Sequence, residues 1–220
     1  MSLPKPYYDR DGIVIYNSDC RDILPLLDSG SIDLVLTDPP YGISYDASHK
    51  KYKDGIDRGD ADWDVGPFDP SPILNLGKPS IIWGGNCFSS RLPDSTVWLA
   101  WIKTVRDDAK IRQSAMELAW TNCIGRSQYI QHLWIGAYRD SESGIRNVHP
   151  TQKPVVVMKW CLSLVPKANR IIDPYMGSGT TLVAAKAMGR KAIGIEISEE
   201  YCEMAVKRLS QQVLPLGEIE

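Results

Sequence analysis

No stretch of the chain approaches the about 18 consecutive apolar residues of a membrane-spanning helix, and the opening Met1-Ser2-Leu3-Pro4-Lys5-Pro6 lacks the apolar core of a signal peptide. A cytoplasmic protein that makes no membrane contact is therefore expected. The five cysteines, Cys20, Cys87, Cys123, Cys161 and Cys202, are odd in number and include no Cys-x-x-Cys pair, so neither a disulfide framework nor a zinc ribbon is indicated. The three histidines, His49, His132 and His149, show no ligand spacing, and no metal is expected. There is no internal repeat, and net charge is also scarce. Lys and Arg number 25 against 27 Asp and Glu, a formal charge of −2, so any contact with a polyanion must come from local clusters. What remains is ordinary globular composition, 43% hydrophobic and 24% charged over 220 residues, enough for one domain with a real core.

Apolar runs alternate with helical or loop segments. Ile13–Tyr16, Ile32–Thr37, Ser80–Trp83, Val97–Ile102, Glu117–Trp120, Tyr129–Ala137, Ile171-Ile172 and Ala192–Ile197 read as strands. Arg21–Leu27 reads as a short helix and Glu199–Gln212 as a final one. That alternation predicts an α/β fold, a single domain over 1–220. The stretch from Gly42 to Pro72 is dense in Gly, Asp and Lys without periodicity, and is expected to be a long loop beside the site. Trp83, Trp98, Trp101, Trp120 and Trp134 are expected in the sheet or core.

Two motifs carry chemistry. Asp38-Pro39-Pro40-Tyr41 follows the Ile32–Thr37 strand, placing a carboxylate, two ring-fixed turn residues and an aromatic face at a strand's carboxyl end. Such an end opens onto the crevice where α/β sheets bind ligands. The prolines remove two backbone donors, leaving acceptors suited to a planar amine. The second motif is Ile171-Ile172-Asp173-Pro174-Tyr175-Met176-Gly177-Ser178-Gly179-Thr180-Thr181, a strand, a glycine turn and the start of a helix. Gly177 and Gly179 permit close approach of backbone to a ligand. The third glycine of a dinucleotide fingerprint is missing, with Leu182 in its place. Glu196 closes the next strand at about the twenty-residue offset where an acid accepts from ribose hydroxyls. The unit fits a nucleoside better than a pyrophosphate.

Together these segments resemble the β group of amino-methyltransferases, which use S-adenosylmethionine to methylate an exocyclic amine in DNA. Tyr175 stands at that family's Phe position, and His149-Pro150-Thr151-Gln152-Lys153-Pro154 is similar to its short signature ahead of the helix before the glycine motif. The resemblance implies a Rossmann-like methyltransferase fold, a mostly parallel sheet with helices on both faces and circularly rearranged motif order. It implies S-adenosylmethionine held by Thr37, Asp173, Tyr175, Gly177, Ser178, Gly179 and Thr180, with Glu196 at the ribose. Thr151, Lys153 and a helix N-terminus would meet the cofactor's carboxylate. Asp19 stands where the family's acid approaches the adenine amine, although Ser-Asp before Arg21 also reads as a helix N-cap. On the amine side, Asp38 and the Pro39 carbonyl would accept the two amine hydrogens and Tyr41 would stack on a flipped base.

The implied partner is double-stranded DNA, with a homodimer and a companion restriction endonuclease also compatible. Lys50, Lys51, Lys53 and Arg58 form one basic group, and Lys103, Arg106, Lys110 and Arg112 a second; both also read as solvated loops. Arg126, His132, Arg139 and Arg146, among Tyr and Trp residues, are the better candidates for reading a base. The family's target-recognition region is reduced to about 124–148, which leaves sequence specificity to that segment, the loop after Tyr41 or a second subunit. Adenine-N6 methylation is the expected activity, because members acting on cytosine N4 more often carry Ser at the Asp38 position. RNA or protein-glutamine methylation and a catalytically silent binding module are the other readings.

Overall fold

Strand residues alternate in the face they cover, and the alternation builds a core on each side of one sheet. The computed structural model describes residues 2–42, 66–104, 114–135, 138–142 and 152–211. In chain order the strands are β1 (Tyr8–Arg10), β2 (Ile13–Asn17), β3 (Leu34–Thr37), β4 (Ser80–Trp83), β5 (Trp98–Ile102), β6 (Met116–Thr121), β7 (Gln128–Gln131), β8 (Trp134–Ile135), β9 (Tyr138–Arg139), β10 (Arg170–Asp173) and β11 (Lys191–Glu196). The helices are α1 (Cys20–Ile23), α2 (Ser71–Leu74), α3 (Val155–Leu164), α4 (Thr180–Ala187) and α5 (Glu199–Ser210). Among the described residues nine strands form the main sheet in the order β1-β2-β11-β10-β3-β4-β6-β5-β7, and β8 pairs separately with β9.

From β2 through β11, β10 and β3 to β4 every pairing is parallel, while β6 runs against both β4 and β5. Ile13, Ile15, Leu34, Leu36, Ile81, Trp83 and Ile171 cover one face with residues of α3, α4 and α5. Tyr16, Val35, Ile82, Ile172 and Ile195 cover the other with Ile23, Leu24, Ile73 and Phe88. This period-two partition is what strands covered on both faces require.

Chain direction divides at the centre of the sheet. β3 leads outward to β4 on one side, and β10 leads through α4 to β11 on the other, so the carboxyl ends of the adjacent β3 and β10 flank a switch point of the kind where open α/β sheets bind ligands. Two N-terminal features fix the lower strand ends and the last helix. Asp33 accepts from the backbone N–H groups of Asn169 and Arg170 and from the Arg170 guanidinium, which ties the start of β3 to that of β10. Ser198 caps α5 by accepting from Tyr201 N, and Glu199 and Glu200 lie in the first turn where the helix dipole favours acids.

Several boundaries differ from expectation. The helix expected over Arg21–Leu27 is α1 followed by a 3₁₀ turn, Leu24–Leu26, because Pro25 cannot donate to continue it. The single strand expected over Tyr129–Ala137 is interrupted: β7 ends at Gln131 and Trp134–Ile135 form β8, which pairs with β9, while residues 136–137 lie outside the described residues. Asp140 closes that pair by accepting from Leu133 N at 2.7 Å, while the backbone of His132 stays bonded to Ile102. Trp83, Trp101, Trp120 and Trp134 are buried, as expected of core residues, and Trp98 is half-buried. Among the described residues no helix is long and apolar enough to cross a membrane, and no cluster of His, Cys, Asp and Glu is placed to hold a metal. Most of the expected loop after Tyr41 lies outside the described residues; its final part leads into α2.

Candidate active site

The two sequence motifs meet at the carboxyl ends of β3 and β10. Thr37 ends β3, Asp173 ends β10, and the Thr37 hydroxyl donates to Asp173 Oδ1 at 2.7 Å in a buried bond. The same carboxylate accepts from Tyr175 N at 3.1 Å, which shapes the turn into the glycine segment. Burial raises the Asp173 pKa to about 6, against the pull of the Thr181 and Thr37 hydroxyls and the Tyr175 N–H. Gly177 and Gly179 both adopt positive φ, +51° and +79°. A Cβ at Gly179 would stand 2.7 Å from the Ala205 methyl, so glycine lets α4 begin directly against α5.

At the next strand end, Glu196 Oε2 accepts from Gly177 N at 3.0 Å and Oε1 from Ser198 N at 2.8 Å. Asn17, at the end of β2, bonds the Glu196 and Ile197 carbonyls, so Glu196 and Asp19 project from neighbouring strand ends. Tyr175 packs edge-on to Phe68 with ring centroids 5.3 Å apart. These groups fit a cationic nucleoside and not a polyphosphate: the Gly177 N–H is taken by Glu196, the Ser178 and Thr180 hydroxyls by Arg208, and carboxylates close three adjacent strand regions.

The amine motif is locked into a buried charge network. Lys153, 4% exposed, places its ammonium 2.6 Å from Asp38 Oδ2, 2.8 Å from Glu117 Oε2 and 2.9 Å from the Tyr41 hydroxyl. Tyr41 donates to Asp38 Oδ1 at 2.7 Å, and Lys103 pairs with the other oxygen of Glu117. Burial raises the Asp38 pKa, opposed chiefly by Lys153. Burial also works against ionising Glu117, but Lys153 and Lys103 overcome it and hold that carboxyl below its ordinary value. For Lys153, burial disfavours the charge and Asp38 and Glu117 more than offset it, so its pKa is raised. The Tyr41 ring lies directly against Gly84, where φ is +70° and an added Cβ would come within 2.0 Å of the ring.

The expected site residues have the following surroundings in the structure. Lys153 does not stand free at the start of α3 for a cofactor carboxylate; a buried ammonium needs anions, and Asp38 and Glu117 supply them. The first N–H of α3, on Val155, is taken by Glu142 Oε1 at 2.9 Å. Ser178 and Thr180 face Arg208, and Ser178 also faces Gln152. Asp19 is an N-cap, accepting from Arg21 N at 2.8 Å and paired with the Arg21 side chain. Lys103, read as part of a phosphate-contacting group, is turned inward onto Glu117. His132 is buried, its Nε2 2.9 Å from the Ser141 hydroxyl, so it holds the β8–β9 pair instead of facing a base. Arg126 lies between β6 and β7, at the end of the sheet opposite Asp38. Arg139, stacked over Trp134 at 4.6 Å, is on the β8–β9 pair at the carboxyl end of β7. Thr151, Lys50, Lys51, Lys53 and Arg146 lie outside the described residues. Pro39 is buried and Pro40 half-buried beside Asp38. Glu117 and Lys103 are the members of the site that sequence reading missed. They sit at the ends of strands in unremarkable polar contexts, and only strand order brings them to Asp38.

An open α/β sheet with carboxylates at three neighbouring strand ends around its switch point, and the Asp38–Tyr41 pair at the end of β3, has the layout of a methyltransferase fold. The family model for DNA methylases of the N6/N4 type matches residues 78–207, and the chain belongs to that family. Among its relatives, the type II methyltransferase M2.LlaDCHI of Lactococcus lactis subsp. cremoris is 23% identical, with 95% of this chain and 93% of the relative aligned. M.ScaI of Streptomyces caespitosus is 26% identical over 98% of this chain and 87% of its own. The fold is also that of the solved PvuII DNA methyltransferase, described as cytosine-N4-specific: TM-score 0.66, 17% identity, 96% of this chain and 90% of that one. The chain is thus a DNA amino-methyltransferase of the N6-adenine/N4-cytosine family.

Proposed function

We propose that the protein methylates the N6 amine of adenine in double-stranded DNA, with S-adenosylmethionine as methyl donor. The observation that carries this is that Thr37, next to Asp38, bonds Asp173 across the paired β3 and β10, so the Asp38 motif and the glycine segment leave neighbouring strand ends and would form adjoining amine and donor sites. Glu196 would accept from the ribose hydroxyls, Tyr175 and the Gly177–Gly179 turn would line the nucleoside, and Asp173 would lie near the cationic end. Bound there, the cofactor supplies an electrophilic methyl group. The chain's own part is to make a poor nucleophile attack. The lone pair of an exocyclic amine is delocalised into the ring, and acceptors at its hydrogens favour the pyramidal nitrogen that carries growing positive charge. Asp38 accepts one hydrogen and the Pro39 carbonyl the other, an electrostatic contribution of the oxyanion-hole type with its sign reversed. The base must leave the duplex to reach them, which costs a few kcal/mol, and the Tyr41 ring offers a surface for it. Asp38, in place of the Ser more frequent in cytosine-acting relatives, supports adenine. The β8–β9 pair with Arg139, together with Lys50, Lys51, Lys53 and Arg146, would contact DNA, and the type II relatives support pairing with a restriction endonuclease.

The test is transfer of labelled methyl from S-adenosylmethionine to unmethylated genomic DNA, followed by digestion to nucleosides. N6-methyladenine is expected; label in N4-methylcytosine would reassign the base and keep the mechanism. Asp38→Ala should lower transfer by about 10²–10³-fold, the scale of losing one electrostatic contact to the transition state, while binding of S-adenosylmethionine by calorimetry is unchanged. Cofactor binding by the wild type without transfer to any DNA would point to the silent module.

A further inference from the structure

We infer that Glu117 and Lys153 are positioning residues that set the orientation and acceptor strength of Asp38, acting on it with opposite signs. The inference rests on Asp38 being the amine acceptor. An ammonium has three N–H donors, and those of Lys153 are fully engaged, by Asp38 Oδ2, Glu117 Oε2 and the Tyr41 hydroxyl. Glu117 is itself fixed from its other side by Lys103. Lys153 is therefore held at one point, and Asp38 is held against it with Oδ1 turned to Tyr41. A carboxylate oxygen has two acceptor positions, so each Asp38 oxygen keeps one for an incoming amine while its direction is fixed.

The same arrangement divides the field of the ammonium between two carboxylates. Were Glu117 neutral, Lys153 would act on Asp38 alone and make it a weaker base, hence a poorer acceptor for an amine becoming cationic. Were the ammonium lost, Asp38 would face burial and the Glu117 charge without that compensation, and its pKa would rise further. Among the described residues the groups facing Asp38 are Lys153 ahead of α3, Tyr41 on its own loop, Glu117 on β6, Asp173 on β10 and, through Glu117, Lys103 after β5. The thiols of Cys87 and Cys161 stand beyond Tyr41 and Lys153. Burial pushes the Cys161 thiol well up, so it stays neutral.

The test is a titration of the full-length protein with ¹³C-labelled aspartate carboxyls, the Asp38 signal being the one absent from Asp38→Asn. The midpoint of Asp38 should fall in Glu117→Gln, rise in Lys153→Met and stay close to wild type in Lys153→Arg, which restores the charge. The acid limb of the pH profile of methyl transfer should move with it. In Glu117→Gln kcat should drop by up to about 10²-fold, the cost of a misplaced reacting group, with the KM for S-adenosylmethionine unchanged. A midpoint unmoved by Glu117→Gln, or moved upward, overturns the inference; so does a shift of the same sign in both neutralising variants. Should Lys153→Met fail to fold, the isosteric Glu117→Gln decides alone. Methyl transfer by the wild type with unmoved midpoints would sink this inference and leave the acceptor reading standing. Shifted midpoints in a protein that transfers no methyl would remove the acceptor reading, and with it the role given to the pair.

Discussion

Tyr41 shows how much a single side chain depends on what lies beneath it. Its ring is held by the bare backbone of Gly84, and its hydroxyl by Asp38 and Lys153. Gly84→Ala adds a Cβ where the ring now lies and forces an L-residue to φ +70°, so Tyr41 must move. We expect methyl transfer to fall by about 10²-fold with S-adenosylmethionine affinity unaltered, as measured by single-turnover kinetics and calorimetry. Retained transfer would show that Tyr41 need not occupy this position. Asp38 and Tyr41 could be singled out in the sequence because a Pro-Pro turn after an apolar run is accompanied by the glycine motif further on; the turn alone reads equally well as an ordinary strand exit. Gly84 was not, since nothing local distinguishes a glycine under a distant ring from one in an ordinary turn.

The pairing of β3 with β10 brings the two motifs together, and Asp33 fixes its lower end. Hydrogen bonding by the Arg170 guanidinium, aided by the Asn169 and Arg170 N–H groups and working against burial, lowers the Asp33 pKa to about 2. In the unfolded chain it titrates near the ordinary value of about 3.9. A depressed folded-state pKa makes the unfolded state bind more protons in that interval. The stabilisation is therefore complete above about pH 4 and is lost as the pH falls towards about 2. Asp33→Asn should melt below wild type at pH 7, and the gap should narrow on acidification through pH 3; a constant gap would mean that the charge contributes nothing. The pair is partly exposed, so the effect should be modest. In the sequence Asp33 merely interrupts an apolar run, and its partner lies 137 residues away.

With a net charge of −2, attraction to DNA depends on where the cations are and not on how many there are. Arg139 lies on the β8–β9 pair at the catalytic end of the sheet, and the exposed Arg126 lies at the opposite end. Arg139→Ala should weaken DNA binding and reduce the slope of log K against log salt by about 0.9, the value of one phosphate contact on B-DNA. Arg126→Ala should leave both unchanged. Equal effects of the two would place DNA along the side of the sheet instead of across its carboxyl end.

The sequence by itself determined the α/β class, the strand cores, the two motifs and the order in which they occur, because period-two burial, proline turns and glycine turns are local properties of the chain. For Asp19 the sequence left two readings open, a helix N-cap and a contact to the cofactor, and the bond from Arg21 N is the one that depends on neighbours two residues away. Tertiary structure alone decided that Lys153 serves Asp38 instead of the start of α3, that Glu142 takes that helix's first N–H, that Lys103 turns inward and that Glu117 joins the site. The physical reason is the cost of burying charge. An ammonium out of water must find its anions, and which carboxylates are within reach is set by strand order in the sheet, where β6 stands beside β4 and β10 beside β3.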